Sequence, residues 1–270
     1  IWPAVFWVIV AVALPALYLQ SRLGELTTQA ERWVSNQRIW RAWQLTTALV
    51  DVGSRRPIFD RMPEHVAASL ETRLNELLTA VSTPLADNPS DKLRLARARQ
   101  LAALDEYNSA EAVLANLPQR IPSAALLLGA IQQEQNQWLA SNESCHGALE
   151  LIERSRQSDD QSAAMQWQAC DALCGNFERL QLYSNAEAVL MEALDTVPQC
   201  STQIHLRLAE HYRTMGRTEA AMDQLLAARH LSGSNSTAID RAIEQLHAGT
   251  AGCLLFYTPP PAAIERTAGH

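Results

Sequence analysis

Two short segments constrain this chain more than anything else in it. Tyr107–Leu114 reads YNSAEAVL and Tyr183–Leu190 reads YSNAEAVL, the same eight residues with one Asn and one Ser exchanged. Each is followed by a proline, Pro118 and Pro198, which cannot continue a helix. A proline-terminated amphipathic helix used twice implies a helical-hairpin unit. Such a unit cannot bury both of its faces alone and stacks against copies of itself.

The second octapeptide lies in the best-defined unit, about 167–200, with Leu173 and Cys174, Phe177, Tyr183, Ala186, Leu190, Ala193, Leu194 and Pro198 in order. The next, about 202–235, repeats it 35 residues on with Leu208, Ala209, Tyr212, Gly216, Ala221, Leu225 and Ala228. This alternation of large and small residues resembles the tetratricopeptide repeat, a 34-residue helix–turn–helix. The small residues fall where two helices cross too closely for a long side chain. Thr218 and Gly233 depart from the pattern, where the family favours an aromatic residue and a proline.

Two earlier units are more divergent. Residues 122–155 supply Leu128, Gly129, Trp138, Ala148 and Leu149, and the polar stretch Arg156 to Ser162 requires a lengthened helix or loop before the next unit. Residues 91–118 carry the first octapeptide, and their LRLA at 93–96 matches LRLA at 206–209 only if the turn holds extra residues. Residues 236–248, with Ile239, Ile243 and Leu246 on one face, have the pattern of a closing helix. The resemblance covers about 91–248. It implies an all-α fold, an α-solenoid of TPR-like hairpins with a groove for a peptide or helix of another protein.

The N-terminus reads differently. Residues 1–21 hold no charged side chain, and Ile1 to Leu19 is apolar apart from the Tyr18 hydroxyl, enough to cross a hydrocarbon core about 30 Å thick. Trp2, Trp7 and Tyr18 suit interfacial anchoring, Pro3 a first helical turn and Pro15 a local bend. The expectation is one transmembrane helix over 1–21. The other reading is a secretory signal, with Ala11 and Ala13 near a cleavage site, but the apolar block exceeds the usual 7–15 residues. Arg22, Arg32, Arg38 and Arg41 are interleaved with Glu25 and Glu31, so orientation is weakly determined. The working assignment is a single-pass protein of a bacterial inner membrane with its repeats in the periplasm.

Residues 22–90 form a juxtamembrane helical region. Over 22–52, apolar residues at Trp33, Ile39 or Trp40, Trp43, Ala48 and Val50 predict that one helix continues out of the membrane. Gly53, Ser54 and Pro57 break it. Pro63 opens a second helix with Val66, Leu70, Leu74, Leu77 and Leu78 on one face, ended by Pro84 and the Asp87-Asn88-Pro89-Ser90 cluster. Trp33, Trp40 and Trp43 suit a partner-binding stripe, a lipid interface or burial against that second helix. Residues 249–270 form a proline-containing tail, in which the apolar run Cys253 to Tyr257 precedes three prolines at 259–261.

Chemistry is sparse. The net charge of −7 and the single lysine, Lys92, disfavour nucleic acid as a partner, since no polybasic run is available to release counterions. None of the seven histidines belongs to an HExxH motif, and neither a phosphate loop nor a GxSxG elbow occurs. His205 and His211 are six apart on one helix and face different ways. Cys170 and Cys174 share a helix face and suit a metal, a disulfide with a neighbouring helix such as one to Cys145, or plain burial, with burial favoured because Cys174 occupies a small core position. No catalytic residue, cofactor or metal ligand is assigned, and the chain is not read as an enzyme.

The groove implied by the resemblance receives Asp171, Glu178, Arg179, Glu210 and Arg213 from its first helices, a mixed-sign surface. With Trp33, Trp40 and Trp43 these are the candidate partner-binding residues. The lysine cluster by which some family members hold a terminal carboxylate is missing. The function expected is a membrane-anchored scaffold that binds other proteins, which the anchor makes subunits of a membrane complex, and supports assembly of a membrane or envelope complex. The alternative is a permanent accessory subunit of a respiratory, photosynthetic or secretion complex, and a thiol- or metal-dependent activity at Cys170 and Cys174 is a third reading.

Overall fold

The structure, a computed structural model, describes residues 21–86, 88–118, 120–155, 159–233 and 236–247. The spans assigned above to the transmembrane helix, apart from Ser21, and to the proline-containing tail lie outside the described residues. Among the described residues the fold is all-α without a β-strand, and no helix is long and apolar enough to cross a membrane. In chain order the helices are α1 (residues 21–35), α2 (Ile39–Asp51), α3 (Pro63–Ser82), α4 (Asp91–Ala103), α5 (Tyr107–Ala115), α6 (Pro122–Glu134), α7 (Trp138–Ser155), α8 (Asp160–Arg179), α9 (Tyr183–Thr196), α10 (Ser201–Thr214), α11 (Thr218–Ser232) and α12 (Thr237–His247). The chain divides between Val113 and Leu114 into two compact units.

One turn recurs through both units. The pairs α1–α2, α4–α5, α6–α7, α8–α9 and α10–α11 are each joined by three residues whose middle member has positive φ: Gln37 (56°), Asp105 (62°), Asn136 (60°), Gln181 (60°) and Gly216 (73°). In each, the N–H of the third residue donates to the carbonyl five positions back, as in Arg38 to Trp33 (2.8 Å), Glu106 to Leu101 (3.0 Å), Gln137 to Gln132 (2.8 Å), Leu182 to Phe177 (2.8 Å) and Arg217 to Tyr212 (2.8 Å). The middle N–H donates three positions back. This is the Schellman arrangement, which satisfies carbonyls that a helix end leaves without partners.

Measured from these turns, the core positions coincide. Seven residues before the turn's middle stand Ala30, Ala98, Gly129, Cys174 and Ala209, and five after it stand Ala42, Ala110, Ser141, Ala186 and Ala221, all buried. Small residues at both positions let paired helices approach closely. A Cβ on Gly129 would lie 3.0 Å from Cys145 Sγ, so the α6–α7 crossing has no slack. Nine and twelve residues after the turn's middle come a leucine and a further alanine, Leu190 and Ala193 in one hairpin and Leu225 and Ala228 in the next, again buried.

In the first unit, residues 22–52 are therefore two helices of a hairpin, not one. The chain breaks at Asn36–Arg38 without a glycine or proline, because Gln37 accepts the left-handed conformation. The buried face of α2 is Ile39, Ala42, Thr46 and Leu49. Ala48 is exposed, whereas Thr46 is buried with its hydroxyl donating to the Ala42 carbonyl (2.6 Å). α3 begins with Pro63 at its first turn and buries Val66, Leu70 and Leu74 against α2, leaving Leu78 exposed. Ala103 and Leu104, at the end of α4, pack on this same cluster. Arg41 pairs with Asp105 (2.7 Å) and, with Arg38, lies over the Tyr107 ring, which ties α2 to the α4–α5 turn.

In the second unit each helix from α6 to α12 packs on the next, and α6 also packs on α8. The wider spacing between the α6–α7 and α8–α9 turns is taken up by long helices, 18 residues in α7 and 20 in α8. Asp159 caps α8 by accepting from the Ser162 N–H (2.7 Å). Asn176, wholly buried, donates to Ser141 Oγ (2.9 Å) and Asn142 Oδ1 (2.8 Å) and accepts from Gln133 Nε2 (2.7 Å). That network joins α6, α7 and α8 in a single register. α12 lays Ile239 and Ala242 against Ala209, Leu225 and Ala228.

Candidate functional site

Among the described residues, a dense set of polar side chains lies between α8 and α10, the first helices of two successive hairpins. Cys174, Ile204 and Leu208 belong to one apolar cluster there, and a polar group is set against it. Asp171, Cys174 and Glu178 fall three and four apart on α8 and so share a face. Arg207 and His211, four apart on α10, meet them. Arg207 Nε donates to Asp171 Oδ1 (3.0 Å), Nη1 to Glu178 Oε1 (3.0 Å) and Nη2 to Glu178 Oε2 (2.6 Å). His211 Nδ1 lies 2.8 Å from Glu178 Oε1, and the Cys174 thiol donates to the same oxygen at 3.7 Å.

Burial decides the electrostatics. Burial opposes ionisation of Glu178, but hydrogen bonds from His211 and Arg207 and the charge of Arg207 outweigh it and hold the carboxyl down to about 2. Arg207 is opposed by burial too, and Asp171 and Glu178 more than compensate, raising its affinity for the proton. Burial pushes the Cys174 thiol far above its ordinary range. Because Glu178 is a carboxylate, Nδ1 of His211 is the donor in their hydrogen bond. His211 is wholly buried, and its Nε2 has no partner among the described residues.

Of the residues the sequence singles out, Asp171 and Glu178 are therefore engaged by Arg207. Glu210 and Arg213 pair with each other on α10 through two hydrogen bonds (2.7 and 2.9 Å). Arg179 lies over the Trp138 ring, 6.0 Å from its centroid. Trp33, Trp40 and Trp43 sit half-buried against the core of the first unit, with Trp40 and Trp43 in ring contact at 5.5 Å. They belong to a different compact unit from the charged set.

The four described cysteines, Cys145, Cys170, Cys174 and Cys200, are free and buried. Burial raises the thiols of Cys145 and Cys170, to about 11 and about 12, so neither is primed as a nucleophile. Cys174 meets Glu178 and His211 as potential ligands, not Cys170. His205 turns the other way, to Gln224 Oε1 on α11 (2.7 Å).

A second polar contact repeats the theme on the neighbouring elements. Tyr212 donates to Glu187 Oε1 (2.7 Å), and Arg217 pairs with Glu187 (3.1 Å) while lying 4.4 Å over the Tyr212 ring.

No protein-family model, curated protein or solved structure matches the chain.

Sequence reasoning missed Arg207, His211 and Glu187. The available signal was positional. Arg207 directly precedes Leu208 and His211 directly precedes Tyr212, so both flank repeat core positions, which sets them beside the core without naming the helix they meet. Chemically the α8–α10 group can hold a buried charge balance, and Cys174, Glu178 and His211 present donors of the kinds that bind a divalent metal.

Proposed function

We propose that the chain is a helical-repeat docking protein of the tetratricopeptide type, held at a membrane by its apolar leading segment, whose second unit receives a peptide or helical segment of another protein. In this reading it supports assembly of a membrane or envelope complex. One observation carries the docking part. Throughout α6, and from Ser201 to Arg213 of α10, no residue is exposed, whereas α7, α9 and α11 expose Leu139, Met191, Leu226 and Leu231. A helix that is half-covered on every side while its hairpin partner meets solvent is recessed, the placement expected for the lining of a docking groove.

Membrane tethering raises the local concentration of such a module at other membrane subunits, which favours assembly over free encounter. The bidentate clamp on Glu178 and the Glu210–Arg213 pair leave the α8 and α10 surface with few charges to strip of water. Recognition then relies on shape and on polar groups such as Gln168 and Gln203.

The test is site-specific photocrosslinking in native membranes, with the photoreactive residue at Gln168 of α8, at Gln203 of α10, or at Glu192 on the exposed face of α9. The same partner captured from Gln168 and Gln203 but not from Glu192 supports the reading. Capture from Glu192 alone, or from none of the three, overturns it.

A further inference from the structure

We propose that Cys174, Glu178 and His211 form a binding site for one thiophilic divalent cation, of the Zn²⁺ class, that clasps α8 to α10. This inference stands apart from the docking reading and needs no partner protein.

Three observations carry it. One ligand atom from each residue lies within 4.8 Å of the other two, and the Cys174 Sγ to Glu178 Oε1 separation is 3.7 Å. Metal bonds of about 2.0–2.3 Å in a tetrahedral sphere place donor atoms roughly 3.2–3.8 Å apart. The set reaches that spacing with side-chain adjustment alone, because Cys174 and Glu178 are one helical turn apart and His211 comes from the facing helix.

The second observation is the imidazole. His211 is wholly buried, and the nitrogen it presents to Glu178 is Nδ1, 2.8 Å from Oε1, so an ion there takes the place of the Nδ1 proton, which moves to Nε2.

The third is charge. Asp171 and Glu178 set two carboxylates against the single guanidinium of Arg207 next to an apolar cluster. A divalent cation that displaces the Cys174 thiol proton to solvent adds two positive charges and one negative, which together with the guanidinium offsets the two carboxylates. Arg207 does not have to leave. Its Nε stays on Asp171 and its Nη2 on Glu178 Oε2, while the Nη1 bond to Oε1 gives way to the ion at the oxygen where the thiol and the imidazole already converge.

The experiment uses the full chain in detergent, stripped with a chelator and titrated with Co²⁺ as a spectroscopic probe and Zn²⁺ as competitor. Expected are one equivalent bound, a thiolate-to-cobalt charge-transfer band, and its disappearance on addition of Zn²⁺. At roughly a hundredfold excess of free ion over Kd the unfolding midpoint rises by about 5–10 °C. Cys174→Ser abolishes the charge-transfer band, and Cys170→Ser, which alters the neighbouring thiol outside the ligand set, retains it. His211→Gln weakens binding by at least tenfold and serves as the second variant if Cys174→Ser does not fold, as judged by circular dichroism. Absence of stoichiometric Co²⁺ on the wild-type chain overturns the proposal, as does a band that survives in folded Cys174→Ser or disappears in folded Cys170→Ser. A loss of partner capture with metal binding intact would count against the docking reading and leave this site standing.

Discussion

Arg207 grips Glu178 with both of its terminal nitrogens, Nη1 on Oε1 at 3.0 Å and Nη2 on Oε2 at 2.6 Å, across the junction of two successive hairpins. The side chains are only 12% and 21% exposed. Such a pair contributes little net stability relative to an apolar pair of the same shape. Removing one partner is costly, because the other charge stays behind without compensation. Arg207→Met therefore destabilises the chain by about 3 kcal/mol, read as a lower urea midpoint, whereas Glu178→Leu combined with Arg207→Met recovers part of that loss. A single variant within about 0.5 kcal/mol of wild type would show that the pair is solvated in solution.

The same pair sets a dependence on pH. The Glu178 carboxyl is held at about 2 in the folded chain against an ordinary value of 4.5. A carboxyl depressed by folding stabilises the folded state above its unfolded value, and that contribution disappears as pH falls towards the folded value. Stability should thus decline between about pH 4.5 and pH 2, and the decline should be shallower in Glu178→Gln. Denaturant unfolding at successive pH values measures both slopes. Parallel slopes would place the acid sensitivity elsewhere, for example at Asp159, which its capping bonds to Ser162 also hold low.

The hairpins differ in how legible they were. YNSAEAVL and YSNAEAVL are nearly identical because both start directly after the turn and contain the crossing residue, Ala110 or Ala186, so similarity of letters tracked similarity of position. The first hairpin escaped because Ala30 and Ala42 stand among tryptophans and the turn at Asn36–Arg38 contains neither glycine nor proline. Its only marker is a glutamine in the left-handed region, and that conformation has no signature in single-residue preferences. The face of α8 was readable from helical spacing, which placed Asp171 and Glu178 together. Their partners were not, because Arg207 and His211 arrive from a helix about thirty residues away whose rotation depends on how the hairpins stack.

If the crossing positions are equivalent, enlarging them should have the same consequence in every hairpin. Ala42, Ala186 and Ala221 are each wholly buried at the fifth position after the turn's middle. Replacing any of them by leucine forces the paired helices apart, at about 1–3 kcal/mol each. Ala188→Leu, at an exposed position of α9, should stay within about 0.5 kcal/mol of wild type. The decisive comparison is Ala42→Leu, since it lies in the hairpin that the sequence did not disclose. If thermal and urea unfolding tolerate it as well as Ala188→Leu, the first hairpin does not share the crossing geometry of the others.

The turns offer a test of backbone strain alone. Gly216 has φ of 73° at the α10–α11 turn, and a Cβ placed on it would meet nothing within 4 Å. Gly216→Ala therefore adds no clash and changes only the cost of holding a left-handed conformation, about 1 kcal/mol for an L-residue. Gly216→Asn should cost less, since asparagine tolerates that region, as Asn136 does at the equivalent place in the α6–α7 turn. The reverse substitution, Gln181→Gly, relieves the same strain in the α8–α9 turn but increases the entropy of the unfolded chain, so its net effect should be small and of either sign. Urea midpoints ordered wild type, then Asn, then Ala at position 216 are expected. An alanine variant as stable as wild type would mean that the turn opens in solution, and with it the hydrogen bond from Arg217 N–H to the Tyr212 carbonyl that closes the α10–α11 hairpin.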